Sequence, residues 1–163
     1  MNTEPLFKAK FQIPYHIVKK NNRPIHGGKY GPPRVGKSSR LKLAEQFMYI
    51  NIKKFNKLSE PISVPIHAVF KFYFNNYFVK PKSKKDPPRM SLTLGDLSGL
   101  YELPQDIMQE AKILSNDALI CSHDGSRKLP SPDHNNYIEI TLYEFTESME
   151  CIAYSSTSNQ PHT

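Results

Sequence analysis

The chain lacks the sequence features that are typical of extracellular and membrane proteins. It has no tryptophan, and its two cysteines, Cys121 and Cys151, have neither CxxC nor metal-ligand spacing. We therefore expect two reduced thiols and no disulfide framework. No apolar run approaches the roughly 20 residues of a membrane span, and the first residues lack the apolar stretch of a secretory signal. These absences predict a cytoplasmic protein without a membrane partner.

Acidic residues are scarce in the first half of the chain. Residues 1–89 hold 19 of the 22 Lys and Arg but only four of the 15 Asp and Glu. Such asymmetry favours a front half that binds a polyanion such as nucleic acid. The alternative is a solvated basic surface with no ligand.

The order of apolar patterns predicts one small α+β domain over residues 1–145, followed by a mobile tail over 146–163. Its expected order is β-α-β-α-β-β, a mixed sheet with two main helices. The predicted strands are an edge strand over 7–18, a central strand over 62–74, a short strand over 91–94, and strands over 119–121 and 136–145. The predicted helices are 40–55, with Leu43, Phe47, Met48, Ile50 and Phe55 on its buried side, and 97–114, irregular before Pro104.

Two segments rich in Pro and basic residues, 19–37 and 80–89, are predicted to be loops that hold the DNA backbone. The residues expected to contact DNA there are Lys19, Lys20, Arg23, Lys29, Arg34, Lys37, Lys80, Lys82, Lys84, Lys85 and Arg89. A further basic pair, Arg127 and Lys128, follows a predicted tight turn at Gly125 and could also reach phosphate.

Residues 31–38 read Gly-Pro-Pro-Arg-Val-Gly-Lys-Ser, a literal match to the phosphate-binding pattern GxxxxGK[ST]. A phosphate loop needs a buried strand before it and free N–H groups at the following helix. No such strand precedes residue 31, and the two prolines remove two N–H donors. A nucleotide-binding protein is therefore a minor alternative.

Acidic residues surround the second predicted helix. Asp96 lies at its start and Asp117 just beyond its end, while Ser98, Glu102, Asp106 and Glu110 follow one another at i, i+4 steps. Carboxylates that hold a divalent cation are what a metal-dependent nuclease requires. The alternative is the solvated face of an amphipathic helix, with Asp96 as its N-cap.

This region resembles the RusA family of Holliday junction resolvases and related phage endodeoxyribonucleases. The family motif Asp-Leu-Asp-Asn-Leu is matched by Asp96-Leu97-Ser98-Gly99-Leu100, its helical acid by Asp106, its closing pair by Asn116-Asp117, and its N-terminal element by Asn21-Asn22-Arg23. The resemblance covers roughly residues 10 to 145 and is moderately specific.

The resemblance implies a structure-selective endonuclease that resolves four-way DNA junctions with Mg²⁺ or Mn²⁺, leaving 5′-phosphate and 3′-hydroxyl ends. It implies that Asp96 and Asp117 are metal ligands, and it suggests a phage or prophage origin. Ser98 replaces the second family Asp, and Glu102 replaces a common lysine. Glu102 is therefore the candidate third carboxylate. A degenerate protein that binds nucleic acid without cutting it is the alternative.

The length of the predicted helix bears on how the two acids meet. Eighteen helical residues span roughly 27 Å, and Asp117 can return at most about 10 Å. Asp96 and Asp117 of one chain would then not share a metal ion unless Pro104 bends the helix strongly. A two-fold homodimer with two composite sites is the prediction.

The remaining candidates have structural alternatives. The rings Tyr73, Phe74, Tyr77 and Phe78 could wedge between bases at a junction centre, although core or loop packing is the expected role. His16, His26, His67, His134 and His162 have no ligand spacing and are expected to be structural or surface residues.

Overall fold

The computed structural model describes residues 4–14, 39–79 and 87–146, together with the backbone of residues 25–26 and 34–35. Several predicted features lie outside these residues: the tail after residue 146, and most of both basic segments. Within the described part, no helix is long and apolar enough to cross a membrane.

Five strands form one mixed sheet. They are β1 (Phe7–Ile13), β4 (Ile66–Phe74), β7 (Ile120–Ser122), β8 (Arg127–Pro130) and β9 (Asn136–Glu144). Strand β9 lies between β1 and β4 and is antiparallel to both. On its other side β4 pairs in parallel with β7 and then, further along, with β8. The predicted α+β class with a mixed sheet and two helices is confirmed, with β1 at an edge and β4 in the centre.

Alternation along the strands gives the sheet one apolar face. On β1 and β4 every second side chain is buried, and the intervening ones are exposed or partly exposed. The helices α1 (Ser39–Phe55) and α2 (Ser98–Glu110) contact each other and pack on the apolar face. Phe70 of the sheet, for example, stacks on Tyr101 of α2 with ring centroids 5.7 Å apart. The opposite face of the sheet is covered by neither helix.

The predicted buried side of α1 is wrong in large part. Leu41, Ala44, Met48 and Ile52 face the core, whereas Leu43 is 62% exposed, Ile50 is 54% exposed and Phe55 is 39% exposed. Met48 is the one prediction confirmed as buried, and Phe47 is partly buried. Helix α1 has two apolar stripes with helical spacing, and the sequence pattern alone does not tell which one faces the sheet.

The start of α2 also differs from the prediction. The helix begins at Ser98, six residues before Pro104, which is buried inside it. The first turn is tight, since the N–H of Leu100 bonds the carbonyl of Leu97 three residues back, 3.0 Å away. A proline removes one helical N–H donor. The helix nevertheless continues through this position, with Pro104 buried against the core.

Two predicted strands and one predicted turn differ from the structure. Residues 92–94 form a 3₁₀ turn, because Ser91 Oγ accepts a bond from the N–H of Thr93 and turns the chain. The central strand begins at Ile66, after Pro65, while Ile62 makes only an isolated bridge to Leu114. The turn at Gly125 (φ +82°) exists, but it does not reverse the chain. Both flanking strands run parallel to β4 on its same side.

One short antiparallel ladder lies within the basic segment 19–37, and a second flanks the basic segment 80–89. Strands β2 (Ile25–His26) and β3 (Arg34–Val35) pair with each other, as do β5 (Phe78–Val79) and β6 (Arg89–Met90). The segment 19–37, predicted as a loop, therefore contains two short strands, and the last residue of the segment 80–89, Arg89, opens β6. Each ladder brings together the two ends of the chain segment that connects its strands.

Candidate functional site at the two ends of helix α2

Asp96 lies at the N-terminal end of α2 and is exposed. Its Oδ2 atom accepts a hydrogen bond of 2.8 Å from the Ser98 hydroxyl and one of 3.2 Å from the backbone N–H of Gly99. A bond from a side chain to an N–H three residues later is how a capping residue satisfies a free helix donor. The positive end of the helix dipole also favours a carboxylate at this place. By position the N-cap of α2 is Leu97, which makes no side-chain cap bond, but its dihedrals are already helical (φ −68°, ψ −39°), so the bond from Gly99 lets Asp96, one residue earlier, satisfy a free N–H of the first turn.

The glycine at position 99 brings the helix backbone close to this carboxylate. A Cβ atom on Gly99 would lie 3.3 Å from Oδ2 of Asp96 and 3.4 Å from Oδ1. The 3.3 Å contact is tighter than most Cβ contacts, so a side chain at this position would require the Asp96 carboxylate to shift by a few tenths of an ångström.

Asp117 lies at the other end of the helix. It opens the short 3₁₀ turn Asp117–Leu119 and is exposed. Its backbone N–H donates to Oε1 of Gln109, in the last turn of α2, over 3.3 Å. The preceding Asn116 caps the turn by accepting from the N–H of Ala118 at 2.8 Å. Asp117 is therefore anchored beside the C-terminal turn of the helix.

The two acids are held apart by the helix between them. Gln109, which anchors Asp117, lies 11 residues after Ser98, a rise of roughly 16 Å along a helix axis. Among the described residues, no group of three or more His, Cys, Asp and Glu side chains could hold a metal ion together. Asp96, Glu102 and Asp117 of one chain thus do not come together as such a group. This separation agrees with the sequence-based geometry, although the helix is shorter than predicted.

The polar side of α2 carries the i, i+4 series. Ser98 and Glu110 are exposed, and Glu102 and Asp106 are partly exposed. The opposite side of the helix is buried in the core. Glu102 therefore lies on the same side of the helix as Ser98, about one turn further along.

The chain returns beside α2 in the opposite direction after Asp117. Successive contacts join Asp117 to Gln109, then His123 Nε2 to Gln105 Nε2 at 2.9 Å, and then Lys128 Nζ to the carbonyl of Gly95 at 2.7 Å. The last contact places the Lys128 ammonium beside the residue that precedes Asp96. A carboxylate, a hydroxyl and an ammonium group thus lie together at the N-terminal end of the helix.

Arg127 does not share this position with Lys128. In the parallel register Arg127 pairs with Lys71 and Lys128 pairs with Phe72. Neighbouring residues of a strand point to opposite faces. Lys128 therefore points to the face of the sheet that packs against the helices. Arg127 points to the opposite face, the open face, which neither helix covers. The prediction that Arg127 and Lys128 reach phosphate stays a prediction, and the alternation means that they would do so from different faces of the sheet.

His123 lies just before the turn at Gly125 and packs against α2. Its ring stacks on Tyr101, with centroids 4.3 Å apart and planes 17° apart, and lies against Phe70. Burial lowers the pKa of His123 below its usual 6.5, and the Ala68 carbonyl partly offsets this effect. A neutral imidazole between two rings has a packing role. Its partners come from distant parts of the chain, so no local signal would have indicated it.

Most residues predicted to bind DNA lie outside the described part. These are Lys19, Lys20, Arg23, Lys29, Lys37, Lys80, Lys82, Lys84 and Lys85, while only the backbone of Arg34 is described. Arg89 is exposed in β6. Residues 34–35, the middle of the GxxxxGK[ST] match, form an antiparallel strand pair with 25–26. Such pairing differs from the compact turn of a phosphate loop.

The four rings proposed as wedges have separate environments. Phe74 is buried in the core, as the alternative predicted. Tyr73 is partly exposed on the open face of the sheet, and Phe78 is 53% exposed next to Tyr77, with ring centroids 5.0 Å apart. They do not form a single wedge.

No protein-family model matches the chain, and no curated protein shows a significant match to it. The resemblance to the RusA family consequently rests on the short motifs alone.

Proposed function

We propose that the protein is a structure-selective endodeoxyribonuclease that resolves four-way DNA junctions as a homodimer. The observation that carries the proposal is the placement of Asp96 and Asp117, both exposed, at opposite ends of α2. Two such helices related by a two-fold axis would bring Asp96 of one subunit beside Asp117 of the partner subunit. Two equivalent sites suit a substrate that is itself two-fold symmetric.

One chain does not fit a magnesium ion at these residues, because its two acids are far apart. A dimer would fit one, since carboxylate oxygens are the protein ligands that Mg²⁺ and Mn²⁺ prefer. Asp96 and Asp117 would hold the ion, with Glu102 as a further carboxylate on the same side of the helix as Ser98. A divalent cation in such a site activates water and neutralises charge on the scissile phosphate.

The other residues of the chain would hold and orient the DNA. The Lys128 ammonium, which donates to the carbonyl of Gly95 next to Asp96, would attract a phosphate to the N-terminal end of α2. The basic segments over 19–37 and 80–89 would hold the backbone of the arms, in a contact that weakens steeply with salt. A cytoplasmic protein of phage or prophage origin is part of the same proposal.

A protein that binds nucleic acid without cutting it is the second candidate. The observation that favours it is the hydrogen bond from Ser98 to Asp96, at the position where the family has a second carboxylate. In this arrangement Asp96 accepts hydrogen bonds at the start of α2. With Ser98 in place of a carboxylate, the site has one acid fewer to bind a metal ion.

The test compares cleavage of a labelled four-way junction and a linear duplex of matched sequence, with Mg²⁺, with Mn²⁺ and with EDTA. Asp96→Asn and Asp117→Asn should each abolish metal-dependent paired cuts in the junction. Asp124→Asn is the matched control, because Asp124 is an exposed acid in the turn before Gly125. Binding of the junction by the wild type without cuts would support the second candidate. Saturable nucleotide binding would instead support the phosphate-loop alternative.

A further inference from the structure

The face of the sheet opposite the helices carries an ordered set of polar side chains. Strand alternation and register place the odd-numbered residues of β4, β8 and β9 on it, together with the even-numbered residues of β1. Lys8, Lys10 and Gln12 of β1 are exposed there, and Tyr73 and Tyr137 are partly exposed. This open face is distinct from the N-terminal end of α2, which lies on the helical side.

Charged residues form one row across the open face. The register aligns four side chains on four adjacent strands: Lys10 of β1, Glu139 of β9, Lys71 of β4 and Arg127 of β8. With strands about 4.8 Å apart, this row is roughly 14 Å long. It contains three cations and one carboxylate, so it is positive as a whole.

The carboxylate in this row is already engaged by its neighbours. Oε1 of Glu139 accepts from Lys71 Nζ at 3.1 Å, and Oε2 accepts from the Tyr73 hydroxyl at 3.1 Å. Burial alone would raise the pKa of Glu139, but Lys71, Tyr73 and Lys10 outweigh it and hold the pKa below its usual value. Glu139 thus fixes the positions of Lys71 and Tyr73, while Lys10 and Arg127 remain at the two ends of the row.

Aromatic rings form the next row, two residues further along the strands. Tyr73 and Tyr137 are directly opposite each other on β4 and β9, with ring centroids 6.4 Å apart in an edge-to-face arrangement. The Lys10 ammonium lies 5.0 Å from the Tyr73 ring centre and 5.7 Å from that of Tyr137. The hydroxyls bond Glu139 and Asp133, which holds both rings in place. Oriented rings beside a row of cations are the two elements of a surface that stacks bases and attracts phosphates.

We propose that this open sheet face binds single-stranded nucleic acid, with bases on Tyr73 and Tyr137 and the phosphate backbone along Lys10, Lys71 and Arg127. The positive charge of the row favours a polyanion as the ligand. The fixed rings favour a polyanion that carries flat groups able to stack on them. An acidic protein segment would use the cations but not the rings. The proposal does not depend on cleavage, because binding to this face can be measured in EDTA.

The chain's composition offers a direct probe of stacking. Because the protein has nine tyrosines and no tryptophan, tyrosine emission is observable and is quenched when a base stacks on a ring. The experiment titrates the full chain with a short oligothymidylate in EDTA, following both tyrosine emission and the anisotropy of a labelled strand over a salt series. Polyglutamate serves as the competitor that has charge but no bases.

We expect Tyr73→Leu and Tyr137→Leu each to weaken binding roughly tenfold and to reduce quenching. Tyr73→Phe, which keeps the ring, should bind nearly as the wild type does. Arg127→Gln should weaken binding and lower the salt dependence by about one phosphate contact. Lys57→Gln, an exposed lysine just after α1, is the matched control for loss of one charge.

Three results would overturn the proposal. The first is wild-type affinity in a Tyr73→Leu/Tyr137→Leu double variant that is folded by circular dichroism. The others are a loss of affinity in Lys57→Gln equal to that in Arg127→Gln, and displacement by polyglutamate as effective as by oligothymidylate. Loss of strand binding with junction cleavage intact would uphold this inference alone. Loss of cleavage in Asp96→Asn with strand binding intact would bear only on the nuclease.

Discussion

The hydroxyl of Ser98 donates a hydrogen bond of 2.8 Å to Oδ2 of Asp96, the oxygen that also accepts from the N–H of Gly99. Two donors on one oxygen fix the direction of the carboxylate at the start of α2. The proposed metal ligand is therefore also a structural element of the helix. Its two roles can be separated by substitution, because amide and carboxylate groups both cap helices but only the carboxylate binds Mg²⁺ well.

Asp96→Ala should destabilise the protein by about 1 kcal/mol, since it removes the cap of α2. Asp96→Asn should lose only a few tenths of a kcal/mol, because Asn and Asp are similar capping residues. Urea unfolding of the two variants and the wild type would measure the difference. Equal stability of the Ala and Asn variants would mean that the bond to Gly99 contributes nothing.

Ser98→Asp tests whether this end of the helix can hold a metal ion. Replacing the donor to Asp96 with a second carboxylate places two negative charges together, which should lower the melting temperature by about 2–4 °C without divalent cations. Added Mg²⁺ should restore it, because an ion that binds only the folded state stabilises that state. Ser98→Asn is the control of equal size without the charge. A Mg²⁺ effect no larger than in the wild type would argue against a metal site here.

His123 predicts how stability depends on pH. Its pKa is lowered in the folded protein relative to 6.5, so the unfolded chain binds more protons just below pH 6.5. Stability from this group is present above pH 6.5 and is lost as the pH falls through the lowered folded-state pKa. His123→Phe keeps a ring against Tyr101 and Phe70 and should remove this loss. Urea midpoints measured on both sides of pH 6.5 would check it, and an unchanged pH profile would contradict it.

The sequence predicts the local elements well and their partners poorly. Strand β1, helix α1 and the centre of β4 follow from alternation and helical spacing, which are local properties. The buried side of α1 does not, because Leu43, Phe47 and Ile50 form as good a stripe as Leu41, Ala44 and Met48. Only the tertiary packing selects one of them.

The candidate site shows the same limit. Helical rise suffices to predict that Asp96 and Asp117 lie far apart in one chain. The chain from Asp117 to Pro130 runs antiparallel to α2 while β7 and β8 pair in parallel with β4, and only this long-range arrangement brings Lys128 to Gly95 and His123 to Gln105. The open face with its charged and aromatic rows likewise depends on the register of four strands, which no local pattern specifies.

The most direct test of the account is complementation between Asp96→Asn and Asp117→Asn. In a mixed dimer with composite sites, one site carries both substitutions and the other carries none. Mixing the two inactive variants under subunit exchange should therefore restore nicking of a four-way junction, to roughly a quarter of the wild-type level, because half of the dimers are mixed and each has one intact site. No restoration despite demonstrated exchange, or a strictly monomeric protein in solution, would contradict the composite site.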